Sequence, residues 1–191
     1  WDIAATPRDK FPLLLNYHPL QLYRYQVCKQ ADTVLAHVLF EELAAKDVRE
    51  RSFRYYEKIT THDSSLSNCI FCIEACRLGL RREARAYFGD SVKTDLLNTH
   101  GNSKDGIYMA VVNGFAGLRL CADGVKVDPF LPEGWTGLRF SFQYRGSRLR
   151  FEMADGRYRV RLLAGGPVSV LTPERACRLE RPGDEAEGKT R

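Results

Sequence analysis

The 191-residue sequence is short of several things at once. It has no apolar run approaching the ~20 residues that a membrane-spanning helix needs, and only two Met and two Trp. Its 15 Gly and 8 Pro follow no period, which excludes collagen and a low-complexity chain. Six Cys are too few for a disulfide scaffold of this length. The opening, WDIAATPRDKF, has neither a starting Met nor a basic-then-apolar leader, so the chain reads as cut from something longer. With no export signal, reduced thiols and a cytoplasmic setting are expected. What remains is ordinary for a folded protein: 44% hydrophobic, 11% aromatic and 28% charged residues. Lys plus Arg is 29 against 24 Asp plus Glu, net +5, with the excess concentrated in the C-terminal third.

Three of the cysteines, Cys69, Cys72 and Cys76, fall at i, i+3 and i+7 of one predicted helix, on a face shared with Leu66 and Ile73. A metal site wants a second ligand pair and a turn between ligands. The order C-x2-C-x3-C is also the reverse of the spacing in radical iron–sulfur enzymes. Structural burial is therefore the expectation, and no metal is assigned.

The first two thirds carry helical periodicity. Pro19 to about Glu42 is apolar-rich, with Leu22, Val27, Val34, Leu35, Val38 and Leu39 as buried candidates. Lys46 to about Tyr56, Leu66 to about Leu78, Leu80 to about Leu97, and Ile107 to about Phe115 read as further helices. Gly79 fits a C-terminal stop. After Gly117 the period changes to two. Leu138, Phe140, Phe142 and Tyr144 alternate with polar residues, as do Leu149, Phe151 and Met153, and Tyr158, Val160 and Leu162. Arg145-Gly146-Ser147 and Ala154-Asp155-Gly156 read as hairpin turns. Val125 to Phe130 and Val168 to Leu171 are further strands. The expected division is a helical unit over 1–120, a small antiparallel β-sheet or sandwich unit over 121–180, and a disordered tail over 181–191.

Two polar loops interrupt the helical part. Thr61-His62-Asp63-Ser64-Ser65-Leu66-Ser67 presents hydroxyls and backbone N–H groups at a helix N-terminus, the arrangement that binds an anion such as phosphate. Spacing alone favours a plain N-cap with spare serines. Asn98 to Gly106 has the glycines and amides of a ligand-lining loop, and equally those of a connector. Lys29-Gln30-Ala31-Asp32 is a polar cluster in an apolar stretch. Buried there, Lys29 and Gln30 would need partners, either sugar hydroxyls or neighbouring side chains.

These strings together carry a resemblance. Trp1-Asp2, Phe11 to His18, Val27-Cys-Lys-Gln-Ala-Asp32, Tyr55-Tyr56-Glu57, Thr61-His-Asp-Ser-Ser-Leu-Ser67, Asn98-Thr99 and Asp105-Gly106-Ile107 occur in the order found in glycoside hydrolase family 65. Phe130-Leu-Pro-Glu-Gly-Trp135 and Tyr144-Arg145-Gly146 resemble that family's terminal β-domain. The family holds inverting maltose, trehalose, kojibiose and nigerose phosphorylases, with some hydrolases.

The resemblance implies an incomplete (α/α)6 catalytic barrel followed by a β-sandwich. It implies phosphate attack on the anomeric carbon of an α-glucosidic disaccharide, giving β-glucose 1-phosphate. By that mapping Lys29 and Gln30 contact the sugar. Ser64 and Ser65 belong to the phosphate loop, with His62 and Asp63 shaping it, and Gly106 and Tyr108 line the same site. No cofactor is implied beyond phosphate as co-substrate. A homodimer is compatible with the full-length enzyme.

Three departures stand out. The family's general-acid Glu lies upstream of the matched region, so no catalytic residue is assigned within this chain. Tyr108 stands where members commonly have His. Met109-Ala110 runs almost directly into Val111, where members carry additional small residues. An (α/α)6 barrel built from ~11-residue helices and ~5-residue connections needs on the order of 200 residues. The helical part here is too short to close one, and the chain alone is expected to be inactive. A competing reading starts from Arg139, Arg148, Arg150, Arg157, Arg159 and Arg161 on one sheet face, which could follow the phosphates of a polyanion. The face lacks an interleaved aromatic platform and includes Glu152, which disfavours nucleic acid. A non-catalytic remnant is the other competitor.

Overall fold

A computed structural model describes residues 1–97 and 106–191. The chain divides into two compact units, Trp1–Ala110 and Val111–Arg191.

The first unit holds α1 (Leu13–Asn16), α2 (Pro19–Leu22), α3 (Asp32–Leu39), α4 (Lys46–Glu57), α5 (Ser67–Leu78), α6 (Arg81–Leu97) and α7 (Gly106–Met109). Helix α5 is its centre. All twelve of its residues are buried, because α3, α4, α6 and α7 pack around it. Cys69, Cys72 and Cys76 are therefore interior side chains, as their helical spacing suggested. Burial pushes the Cys69 thiol up to about 12, so it stays protonated and inert. Gly79, at φ 84°, ends α5 in a Schellman turn: Leu80 N–H donates to Ala75 O at 2.9 Å and Gly79 N–H to Cys76 O at 3.2 Å.

The stretch from Pro19 to Glu42 departs from the expected helix. It is helical at α2 and α3, but residues 23–31 are not. Cys28 instead forms a parallel bridge with Thr60, its N–H donating to Ile59 O at 2.7 Å and its carbonyl accepting from Thr61 N–H at 2.8 Å. A backbone pairing with a segment thirty residues away outweighs local helical preference there. Lys29 and Gln30 consequently lie outside any helix, and both are exposed rather than buried.

The second unit contains two four-stranded sheets. One has the order β1 (Arg119–Leu120), β2 (Val125–Lys126), β6 (Val168–Leu171), β7 (Ala176–Leu179). The other runs β3 (Gly137–Tyr144), β4 (Ser147–Ala154), β5 (Arg157–Ala164), β8 (Glu185–Lys189). Pairing is antiparallel except between β2 and β6. Period-two alternation buries Leu149, Phe151 and Met153 of β4 and Tyr158, Val160 and Leu162 of β5. The hairpins turn at Arg145-Gly146 and Asp155-Gly156, where all four residues have positive φ, as a type I′ turn requires.

The tail expected to be disordered is a correction. Residues Glu185–Lys189 form β8 on the edge of β5, with Ala186 buried opposite Val160. Two carboxylates fix it: Glu185 pairs with Arg159 and Arg161, each at 3.1 Å, and Glu187 lies 3.7 Å from Arg159. Among the described residues no helix is long and apolar enough to cross a membrane.

Candidate active site

The Cys28–Thr60 bridge brings the two polar segments together. Below it, Asp63 N–H donates to Lys29 O at 3.0 Å, and Thr61 Oγ1 donates to Cys28 O at 3.3 Å. The Lys29-Gln30 pair thus runs alongside His62 to Ser65 at the entry to α5.

The neighbours then separate. Lys29 and Asp63 line one cavity of about 250 Å³ with Tyr25 and several leucines. Gln30 and Ser64 line another, smaller cavity of about 100 Å³ with Asp32 and Ser67. His62 and Asp63 also border a third, open cavity of about 520 Å³ that includes Arg8, Asn68 and Lys93. Gln30 is oriented by its amide, whose Nε2 donates to Asp32 Oδ1 at 2.9 Å.

The serines do not act as the caps that their spacing favoured. Residue Leu66 occupies the N-cap position of α5, and no side chain caps it. Ser67 N–H is taken by the carbonyl of Ser64 at 3.0 Å, which leaves the Ser64 and Ser65 hydroxyls out of the helix ladder. Ser64 is half-buried and Ser65 is buried. An uncapped N-terminus of a twelve-residue helix keeps N–H donors and the positive end of its dipole available to an anion.

His62 marks the turn of this loop. Its backbone sits at φ 56°, in the left-handed region, and its Nδ1 lies 2.9 Å from Ser67 Oγ. The ring packs edge-on against Phe71 at 4.9 Å and at a tilt against Tyr87 at 5.4 Å. Burial pushes its pKa down to about 4 despite the field of Asp90, so the imidazole is neutral at pH 7.

Gly106 and Tyr108 belong to α7. Gly106 is buried; a Cβ there would sit 3.5 Å from Cys69 Cβ and from both carboxylate oxygens of Asp95. Asp95, which sequence reasoning missed, is a buried α6 carboxylate whose Oδ2 accepts from Ile107 N–H at 2.8 Å and fixes the start of α7. Nothing in its sequence neighbourhood marks it, because the contact is made across twelve residues. Tyr108 is exposed. The remainder of the Asn98 to Gly106 loop lies outside the described residues.

No cluster of metal-ligating side chains occurs among the described residues. The arginine stripe of the second unit is crossed by acids. Arg139 pairs in register with Glu152, Glu152 with Arg159, and Arg159 with Glu187, an alternating row across four strands. The acids contributed by β8 weaken its case as a phosphate-tracking surface.

Comparison with known proteins decides the family. Residues 1–116 match the glycosyl hydrolase family 65 central catalytic domain, and residues 118–179 match that family's C-terminal domain. The chain belongs to glycoside hydrolase family 65. It is 48% identical over 178 residues to an α,α-trehalose phosphorylase of Geobacillus stearothermophilus, a match covering 89% of this chain and 23% of the relative. It is 35% identical over 170 residues to a kojibiose phosphorylase of Halothermothrix orenii, covering 85% and 22%. A solved structure of a human-microbiome protein, described as a candidate kojibiose phosphorylase, has the same fold. It superposes with a TM-score of 0.85 at 23% identity, covering 99% of this chain and 26% of that one. The chain therefore spans about a quarter of the length of the relatives it matches. The C-terminal domain match stops at residue 179, short of β8.

Proposed function

We propose that this chain is the C-terminal part of an inverting α-glucoside phosphorylase, its first unit the last portion of an (α/α)6 barrel. The supporting observation is the Cys28–Thr60 bridge, which sets Gln30 and Ser64 on one cavity at the uncapped N-terminus of α5. Phosphate, held by the Ser64 and Ser65 hydroxyls and the first N–H groups of α5, attacks the anomeric carbon. The leaving oxygen takes a proton from a Glu supplied by the rest of the barrel. Phosphate then takes the place of the general base and its water in an inverting glycosidase. The naming of trehalose, kojibiose and maltose phosphorylases among the relatives supports this over hydrolysis. So does a loop that offers hydroxyls beside Gln30.

The double change Ser64→Ala and Ser65→Ala in the whole protein tests the assignment. Each hydrogen bond to a charged partner contributes roughly 1.5–3 kcal/mol, so KM for phosphate should rise at least about tenfold. KM for the disaccharide should move much less. An unchanged phosphate KM would mean that these serines do not hold phosphate.

A further inference from the structure

Strand β3 ends the sheet β3-β4-β5-β8, so one of its edges has no strand neighbour among the described residues. The strand is eight residues long, pairs residue for residue with β4, and carries neither Pro nor Lys. Natural sheets guard a free edge with such residues, with a bulge, or by keeping the strand short. The opposite edge is guarded in this way: β8 has five residues, two Glu and a Lys among them. The core side of β3 is incompletely covered as well. Leu149, Phe151 and Met153 of β4 are buried, whereas Leu138, Phe140, Phe142 and Tyr144 are only half-buried. Phe140 stacks on Phe151 at 5.2 Å and lies 6.1 Å from Phe142.

The turn after β3 fixes which backbone groups are free. Tyr144 and Ser147 flank the two-residue turn and close it as a hydrogen-bonded pair. Alternation then sends the N–H and C=O groups of Leu138, Phe140 and Phe142 to β4, and those of Arg139, Ser141 and Gln143 outward. We propose that this outer edge pairs antiparallel with the same edge of a second copy of the chain, about a twofold axis at Ser141. In that register Ser141 meets its own copy, and Arg139 meets Gln143, as hydrogen-bonded pairs. Phe140 meets Phe142 and Leu138 meets Tyr144 as the closer, non-hydrogen-bonded pairs. This register alone pairs all four half-buried apolar residues with one another. Centring two residues toward the N-terminus would set Arg139 against itself, a like-charge contact. The pattern is thus self-complementary in backbone, apolar side chains and charge, which is what an isologous contact requires. Two four-stranded sheets become one continuous sheet, and neither copy keeps β3 as a free edge.

Ser141→Cys in the whole protein, held under mild oxidation, tests the register. The two introduced thiols would sit on residues whose Cα atoms are about 5.5 Å apart, within reach of a disulfide. A covalent dimer linked through position 141 in both copies, mapped by peptide mass spectrometry, is the expected product. Gln143→Cys should not link to itself, because its two copies would lie about 13 Å apart along the strands. Ser141→Pro removes an outward N–H that β4 does not use, a change that an edge strand tolerates. It deletes two hydrogen bonds from the contact, so the dimer dissociation constant read by sedimentation should rise about tenfold or more. If that variant does not melt cooperatively, the cross-linking pair carries the test by itself. Absence of the link at position 141 overturns the proposal, whether the protein is monomeric, dimeric through another surface, or has this edge taken by an unlike segment. A folded Ser141→Pro protein that associates as tightly as the parent overturns it too.

Discussion

At the scale of single residues, the loop before α5 is governed by His62. Its left-handed φ of 56° would be awkward for most side chains, and its buried ring cannot easily be charged. The pKa falls from 6.5 in the unfolded chain to about 4 in the folded one. Between these values the unfolded chain binds more protons, so stability rises with pH there. The contribution is complete above about pH 6.5 and is lost as pH falls toward 4, on the order of a few kcal/mol at most. His62→Asn tolerates left-handed backbone and does not titrate. The melting temperature of the parent should therefore drop more steeply than that of the variant between pH 6.5 and 4. Parallel curves would show that His62 is not the buried titrating group. The sequence pointed to this loop but not to the roles within it. Serines in front of a helix read as caps; only the placed backbone shows that Leu66 takes the cap position and that Ser67 turns toward His62. Lys29 and Gln30 were legible as a polar pair. Their division between two cavities was not, since it follows from a bridge to Thr60 that no local pattern announces.

At the scale of elements, α5 shows how far periodicity reaches and where it stops. Its span and its Gly79 terminus follow from sequence, while its complete burial comes from its neighbours. Burial on every side forces its charges inward. Glu74 is fully buried and meets Arg49 of α4 at 3.3 Å, and Arg49 also lies 3.5 Å from Glu41. Arg77 donates to Val38 O at 2.6 Å and lies 3.8 Å from Glu41. Removing one partner of a buried pair strands the other. Glu74→Ala should cost about 3–5 kcal/mol, and the joint change Arg49→Met with Glu74→Leu much less. Denaturant midpoints measured at pH 7 check this; equal losses would mean that the pair itself stabilises the fold. Strand β8 illustrates the opposite limit. Glu185-Ala-Glu-Gly-Lys189 has one buried side chain and no apolar alternation, so composition alone reads it as disordered. Its order comes from ladder hydrogen bonds and from Arg159 and Arg161 on a strand more than twenty residues earlier.

At the scale of the whole molecule, the hydrophobic period changes from helical to alternating after Gly117, and the chain forms two compact units, Trp1–Ala110 and Val111–Arg191. The compact units divide after Ala110, so the π-type turn Ala110–Phe115 lies almost wholly in the second unit although it is still helical. The three hairpin-linked strands β3, β4 and β5 carry unmistakable alternation and type I′ turn residues, whereas the strand expected over Val125 to Phe130 is only the two residues of β2, and the two-residue β1 leaves no such trace. The chain spans about a quarter of the length of its relatives, so the decisive test belongs to the whole protein. That protein is incubated with trehalose, kojibiose or maltose, with and without inorganic phosphate, and the product is read by phosphorus and proton NMR before mutarotation or side reactions intervene. The expected result is β-glucose 1-phosphate from at least one disaccharide, formed only when phosphate is present. Release of free glucose at the same rate without phosphate, or formation of the α-anomer, would contradict inverting phosphorolysis at the α5 N-terminus.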